Sequence, residues 1–178
     1  MLGLGLGIPR IGNFQDGLAI GDTHQGGIIF YLDGSGGGLI AAPSDETSSS
    51  WGCVGTTVGA SGTAIGTGAD NTVNILTNGT TCSTADIAAD RCRDKDDGTY
   101  SDWFLPSKDE LNQMYLNLHA EGLGSFTAST TYYCSSSEYA SSSAVYCWVQ
   151  RFDSAVSPGY QNQLQKQVIF YVRAIRAF

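Results

Sequence analysis

The sequence predicts an α+β domain, with one well-specified helix near the middle of the chain and strand-like segments towards both ends. Runs of Gly, Ser and Thr separate these segments, and 23 residues are glycine. The length of 178 residues fits one domain with a buried core. We therefore expect two main helices, a small antiparallel sheet and long loops.

The central helix is predicted from its start signal and from its apolar period. Ser107 is expected to be the N-cap, and Glu110 stands at the position that completes a capping box. Behind this cap, apolar residues follow at the spacing of one helix face: Leu111, Met114, Tyr115 and Leu118. Gly122 or Gly124 is expected to end the helix.

Weaker patterns predict the remaining elements of the first half. Gly27–Asp33 and Gly38–Pro43 are strand-like and are joined by a glycine-rich turn, which indicates a hairpin. Residues 71–76 and 84–92 have helical character, and Ser83 is the expected N-cap of the second of these segments.

The two ends of the domain are expected to meet. Residues 1–20 are predicted to be a linker or an edge strand, and residues 21–178 form the domain. The closing stretch Val168–Phe178 has high β-propensity. Pairing of the Gly27–Asp33 hairpin region with Tyr171–Phe178 would satisfy the backbone groups of both ends.

Side-chain alternation predicts the orientation of the strand within residues 147–153. Trp148, Gln150 and Phe152 share one face, and Cys147, Val149 and Arg151 share the other. We expect the first face to point inward and the second to point outward. The predicted core comprises Trp103, Leu105, Leu111, Met114, Tyr115, Leu118, Trp148 and Phe152.

Charge and cysteine content argue against several functions. A net charge of -8 with nine Lys and Arg residues lacks the basic footprint that nucleic acid or an anionic membrane requires. No apolar run is long enough for a membrane span. The five cysteines form no C-x-x-C pair, and the acidic run 93–98 lacks the ligand pattern of an EF-hand. We therefore expect neither a metal nor another cofactor.

The five cysteines can form at most two disulfides, with one free thiol, in an oxidising compartment. Cys53 and Cys82 both stand in loops rich in Gly and Thr, which need an anchor. A bridge between these two residues is the pairing that we predict first.

Nine segments occur in an order that resembles a known family. They are GGIIFYLD, GLIAAPSD, WG, TAIGTGADNT, CRD, YSDWFLPSKDELNQMY, SSSEY, W-x-Q-x-F and YVRAIRAF. From Gly21 to Phe178 the chain resembles bacterial, viral and archaeal surface domains with a C-type lectin fold that ends in a VRAVRAF-like strand. That family is related in fold to formylglycine-generating enzymes and includes the variable proteins of diversity-generating retroelements. The resemblance implies a C-type lectin fold with adjacent N- and C-terminal strands.

The resemblance also implies a variable, ligand-binding C-terminal segment. In such proteins, adenine-directed mutation of AAC-type codons leaves codons that end in C, and these cannot encode Gln, Glu, Lys, Met or Trp. The implied scaffold residues are Trp148, Gln150, Gln161, Gln163, Gln165, Lys166 and Gln167. The implied variable, ligand-binding residues are Tyr139, Val145, Cys147, Val149, Arg151, Tyr160, Asn162, Leu164 and Val168.

These residues are expected to form one solvent-facing patch that binds a host or cell-surface macromolecule, either protein or glycan. Exposed aromatic, aliphatic and Arg side chains are typical of binding hot spots. The sugar-binding triplets EPN, QPD and WND of calcium-dependent lectins are absent from the sequence. The resemblance therefore implies binding without a metal and without catalysis, on a virion tail fibre or an extracellular cell surface, where the chain can be part of a longer fibre or surface protein.

Three alternatives remain open. The chain can be an invariant structural spike or adhesin domain, or the nine residues can be ordinary loop residues. The third alternative is an oxidase of the formylglycine-generating type, in which Cys134 and Cys147 would be the paired copper-binding cysteines. Cys134 also departs from the family pattern, because a Trp usually precedes the SSSE motif.

Overall fold

The computed structural model describes residues 17–78, 85–127, 130–153 and 159–178, and it shows the predicted α+β class. Most of the 1–20 segment, for which a linker or an edge strand is predicted, lies outside these residues. In chain order the elements are β1 (Thr23–His24), β2 (Gly27–Leu32), β3 (Gly38–Ala41), β4 (Glu46–Ser50), α1 (Gly68–Asn78), α2 (Ala88–Arg93), α3 (Lys108–Asn117), β5 (Tyr132–Glu138), β6 (Tyr146–Arg151), β7 (Gln161–Gln165), β8 (Ile169–Val172) and β9 (Ile175–Ala177). The described chain therefore has three α-helices where two main ones are predicted.

The first sheet joins the two ends of the domain, as predicted. Its strand order is β1-β2-β3-β9, and neighbouring strands are antiparallel. The closing strand β9 pairs with β3, the second strand of the hairpin, with Ile40 opposite Arg176. Tyr171 lies in β8 and belongs to the other sheet, so only the last part of the predicted closing strand takes part in this pairing.

The second sheet is larger than the small sheet predicted from the sequence. Its strand order is β4-β8-β5-β6-β7. The pairs are antiparallel except for β5 and β8, which are parallel and meet at Tyr133 and Tyr171. The ladder between β5 and β6 is irregular between Cys134 and Glu138. The strands β6 and β7 then form a regular outer ladder.

The start of α3 confirms the predicted capping box. The Ser107 hydroxyl accepts a hydrogen bond from the Glu110 amide at 3.3 Å, and Glu110 Oε2 accepts one from the Ser107 amide at 2.7 Å. Glu110 Oε1 accepts a third bond, from the Gly66 amide at 2.7 Å. Burial raises the pKa of Glu110 above its ordinary value, and the hydrogen bonds that the carboxyl accepts from the Ser107 and Gly66 amides oppose this rise. A left-handed residue, Gly122, follows the last turn of the helical region, as expected.

The helix α2 begins later than predicted. It starts at Ala88 and follows Ile87, whose amide donates to Asp90 Oδ2 at 3.2 Å. Asp86 has a positive φ of 61°. A left-handed residue cannot continue a right-handed helix. The predicted helix over residues 84–92 therefore cannot run through Asp86. The predicted N-cap Ser83 lies outside the described residues.

Two adjoining groups of apolar side chains form the core. One lies between α1, α2 and both sheets, and the other lies between α3 and both sheets. All the predicted core residues are buried except Trp148, which is half-buried.

The two arginines of the closing segment tie distant loops to the sheets. The buried Arg173 donates to Asp45 Oδ1 at 2.7 Å, and its Nη1 donates to the Ala42 and Gly124 carbonyls at 2.9 and 2.8 Å. Arg176 bonds to the carboxylate of Asp102 and lies 3.8 Å from the ring centroid of Tyr100. Both side chains therefore act as structural cross-links.

Candidate functional site

The β6–β7 ladder carries most of the predicted binding residues. Five consecutive pairs join the strands, from Tyr146 opposite Gln165 to Gln150 opposite Gln161. Backbone bonds extend the ladder at both ends, because the Lys166 amide donates to the Val145 carbonyl at 2.9 Å and the Arg151 amide donates to the Tyr160 carbonyl at 3.0 Å. Strands rise about 3.3 Å per residue, so these ends lie roughly 20 Å apart.

Cys147 and Val149 do not face solvent, and their predicted orientation is wrong. Cys147 is 0% exposed and Val149 is 2% exposed. Both belong to the core group that also contains Cys134, the residue opposite Val149 on β5. Leu164, opposite Cys147 on β7, packs against the same group. Cys147 and Val149 of the predicted variable set therefore lie in the core, and Leu164 is partly buried against it.

Alternation predicts two faces, but it does not say which face is covered. Here the sheet is covered on one side by the core group of Cys147 and Val149 and on the other side by α3. Gln150 and Phe152 are buried as predicted, because α3 packs over their end of the strand. Trp148 shares their face but is only half-buried, next to Lys108 at the first residue of α3.

Trp148 is half-buried and helps to form a solvent-accessible aromatic face. Its ring contacts the edge of Tyr139, with 5.5 Å between ring centroids, and Lys108 Nζ lies 5.1 Å from its ring centroid. Gln163 is opposite Trp148 on β7 and is half-buried as well. The role of Lys108 in this face was not predicted, because no local pattern relates the start of α3 to β6.

Gln150 is held in place by side-chain hydrogen bonds. Its buried amide nitrogen donates to Asn112 Oδ1 at 2.8 Å and to the Gly159 carbonyl at 3.1 Å, and its oxygen accepts from Gln161 Nε2 at 3.3 Å. All polar atoms of this amide group have partners, and the three contacts fix the rotamer. Gln150 is therefore a buried residue with satisfied polar groups, and its scaffold role stays a prediction.

Lys166 is the second fixed polar residue of the ladder. Its ammonium group donates to Glu138 Oε1 at 2.8 Å and to the Thr56 carbonyl at 3.0 Å, and it lies 4.1 Å from the ring centroid of Trp51. Glu138 in turn accepts bonds from the Val58 and Gly59 amides. Burial lowers the pKa of Lys166 from its ordinary value, and Glu138 opposes this change. The scaffold role predicted for Lys166 thus has a physical basis.

One end of the ladder, here called the Tyr160 end, comprises Tyr132, Arg151, Tyr160 and Asn162. Tyr160 is 49% exposed, and the other three residues are half-buried. The Arg151 guanidinium lies 6.0 Å from the ring centroid of Tyr132 and forms an ion pair with the carboxylate of Asp153. Asn162 Nδ2 lies 3.5 Å from the Tyr132 hydroxyl. Tyr132 was not in the predicted set, although its position opposite Arg151 follows once the β5–β6 register is known.

The opposite end, here called the Val145 end, comprises Tyr139, Val145 and Val168. Tyr139 and Val145 are half-buried, and Val168 is 41% exposed. The Tyr139 amide donates to the Tyr146 carbonyl at 3.0 Å, which places this residue beside the first rung of the ladder. Six of the nine predicted binding residues thus lie in two groups, one at each end of the ladder.

The cysteines divide into a bridged residue and buried thiols. Cys53 is disulfide-bonded, and its predicted partner Cys82 lies outside the described residues. Cys92, Cys134 and Cys147 are free and buried. Burial raises the pKa of the Cys134 thiol well above its ordinary value, and the neighbouring Cys147 raises it further. Such a thiol is protonated at neutral pH.

The described residues contain neither a metal-binding cluster nor a membrane-spanning helix. Within these ranges, no three His, Cys, Asp or Glu side chains are grouped so that they can hold a metal ion. In the acidic turn, Asp97 Oδ1 accepts bonds from the Thr99 and Tyr100 amides at 2.9 and 2.7 Å, and these bonds lower the pKa of its carboxyl. None of the helices in the described ranges has the length and apolar character to cross a bilayer.

No family model matches the sequence, and no curated protein matches it.

Proposed function

We propose that this chain is a sequence-variable ligand-binding domain of the C-type lectin fold, which recognises a macromolecule without a metal and without catalysis. The observation that supports this most is the division of the β6–β7 ladder into two kinds of side chain. Gln150 and Lys166 are buried and fully bonded, whereas side chains at both ends of the ladder reach solvent.

A diversified binding surface needs this division. Variable positions must accept many side chains without loss of the fold, and surface positions change stability by only about 0.5 kcal/mol in most cases. On this criterion the variable set reduces to six residues with access to solvent: Tyr139, Val145, Arg151, Tyr160, Asn162 and Val168. Cys147 and Val149 do not satisfy the criterion because they are buried, and Leu164 does not because it packs against the core.

The chemistry of the Tyr160 end favours a protein or a glycan as the ligand. It presents an exposed phenol, an arginine beside a second tyrosine, and an amide. Tyr and Arg are the residue types that contribute most to protein-binding hot spots, and amides hydrogen-bond sugar hydroxyls equally well. The net charge of -8 does not favour nucleic acid.

The proposed location is a virion tail fibre or an extracellular cell surface. The disulfide at Cys53 supports this location, because disulfides persist in oxidising compartments and are rare in the cytosol. The order of the nine sequence segments supports the same assignment, since the family that they resemble consists of surface proteins.

A pair of display libraries tests the proposal without knowledge of the natural ligand. One library randomises Tyr139, Val145, Arg151, Tyr160, Asn162 and Val168, and the matched control library randomises the buried residues Cys147, Val149, Gln150, Phe152, Lys166 and Phe170. Both are displayed on phage, sorted for protease resistance and then selected on an immobilised protein and an immobilised glycan.

We expect most members of the first library to remain protease-resistant and binders to emerge from it, because the randomised residues have access to solvent. Arg151 is the randomised residue with the largest expected cost, because its partner Asp153 is buried. Most members of the control library should be cleaved, because core changes destabilise by about 2–5 kcal/mol. Equal loss of folding in both libraries would contradict the proposal. A folded first library that yields no binder to either target would favour the invariant structural domain.

A further inference from the structure

The outer strands of the sheets differ in how well their open backbone groups are protected. An open strand edge can pair with another chain, so folded proteins shorten, bend, charge or cover such edges. The described residues present four outer strands. The strand β1 has only two residues, and β9 is covered at Ile175, which exchanges backbone bonds of 2.8 and 3.0 Å with Phe104.

The outer strand β4 is protected by charge, by a bulge and by a helix. Its register against β8 shifts between Glu46 and Ser49. Glu46 forms an ion pair of 2.8 Å with Lys95, and Arg91 of α2 donates to the Ser49 hydroxyl at 3.3 Å. A second chain would have to displace these contacts in order to pair with β4.

The strand β7 has none of these protections. It keeps one register against β6 over all five residues, and its sequence QNQLQ contains neither a charged residue nor a proline. The following Lys166 is buried, and its charge is neutralised by Glu138. Among the described residues no strand lies on the other side of β7.

The backbone groups on this outer side belong to the three glutamines. Tyr160 and Lys166 bond to β6 through their backbone groups. Because alternate residues of an antiparallel strand face the same neighbour, Gln161, Gln163 and Gln165 direct their backbone groups away from β6. The Gln163 amide donates to Asn162 Oδ1 at 2.9 Å, and the Gln165 carbonyl accepts from the Val168 amide at 3.1 Å. The remaining outward groups have no partner in the described part of the chain.

We propose that β7 pairs antiparallel with β7 of a second copy of this chain, about a twofold axis at Gln163. This register places Gln163 opposite Gln163 and Gln161 opposite Gln165, on both sides of the axis. The pairing is self-complementary, because the backbone of each outward-facing glutamine has one N–H donor and one carbonyl acceptor. The two paired strands also carry no charged side chain, although each chain has a net charge of -8. The Gln163 amide exchanges its bond to Asn162 for a backbone bond across the axis.

This dimer would place the two Tyr160 ends on opposite sides of the axis. Each copy would then present its own set of exposed side chains, so that a repeated ligand on one surface could be bound at two points. The pairing itself depends only on the backbone of β7. It therefore stands or fails independently of the proposed ligand binding.

The test measures the molar mass of the full chain by sedimentation velocity and by light scattering, from about 5 to about 500 µM. Three variants are compared with the unchanged chain. Gln163→Lys places two positive charges directly opposite each other at the axis, and Gln163→Pro removes the backbone donor there. Gln167→Lys adds the same charge at an exposed position outside β7 and is the matched control.

We expect a reversible dimer for the unchanged chain and for Gln167→Lys. Both changes at Gln163 should raise the dissociation constant by about tenfold or more. The thermal midpoint of Gln163→Lys, measured at a concentration where all chains are monomers, should stay within about 2 °C. A chain that is monomeric over the whole range overturns the proposal. Equal weakening by Gln163→Lys and Gln167→Lys also overturns it, because association would then not depend on the β7 edge.

Discussion

Replacing Lys166 with methionine is expected to lower the free energy of unfolding by about 3–5 kcal/mol. The change removes the side-chain cation that pairs with Glu138, a carboxylate that is 1% exposed and has no other ion pair within the described residues. It also removes the bond to the Thr56 carbonyl and the contact with the Trp51 ring. Because the remaining charge stays buried without its partner, the loss is expected to exceed that of most single substitutions. Chemical denaturation followed by circular dichroism measures it.

Lys108→Met is the matched control for this prediction. Lys108 is also a lysine that contacts a carboxylate and an indole ring, but its partner Asp109 is 46% exposed. Water can solvate that carboxylate, so we expect a change within about 1 kcal/mol. A second variant, Lys166→Met with Glu138→Leu, should recover part of the lost stability, because it removes both buried charges. A loss below about 1 kcal/mol for Lys166→Met would show that the pair is solvated in solution.

Arg173→Ala is the second change with a large expected effect, again about 3–5 kcal/mol. The guanidinium satisfies Asp45 and the Ala42 and Gly124 carbonyls, and it lies 4.1 Å from the ring centroid of Phe126. Without the guanidinium, the Asp45 carboxylate and the Ala42 and Gly124 carbonyls each lose a hydrogen-bond donor in the interior of the fold. The measurement is the same denaturation experiment.

Arg176→Ala provides the comparison within the same closing segment. Its partner Asp102 is 62% exposed, so water can replace the lost contact. We expect a loss of about 1–2 kcal/mol from the bond to Gln25, the carboxylate and the stacking on Tyr100. Equal losses for the two arginines would contradict the view that burial of the acceptors determines the effect.

Local patterns predicted the parts of the fold that depend on neighbouring residues. The capping box of α3 was predicted because its donors and acceptors are three residues apart in sequence. The hairpin of β2 and β3 was predicted because its turn is short and rich in glycine. The start of α2 was missed because the left-handed conformation of Asp86 is not apparent from its residue type.

The sequence of a strand does not show which of its two faces is buried, and the predicted binding residues depended on that choice. Alternation along β6 separates Trp148 from Cys147 and Val149, but the covering elements determine which face is buried. A cysteine and a valine beside a tryptophan fit either orientation. The contacts that fix Lys166 are equally remote, since Glu138 and Trp51 are 28 and 115 residues away in sequence. Only the assembled fold brings these groups together.

The most direct measurement of the central claim is the sequence of this gene and its flanking DNA in many sister isolates. Variation should be concentrated at Tyr139, Val145, Arg151, Tyr160, Asn162 and Val168, while Cys147, Val149, Gln150 and Lys166 stay unchanged. A near-copy of the last 50 or so codons, rich in adenines and beside a reverse transcriptase gene, should accompany it. Identical C-terminal segments in all isolates, or variation that affects the buried residues as often as the exposed ones, would contradict a sequence-variable binding surface on this ladder.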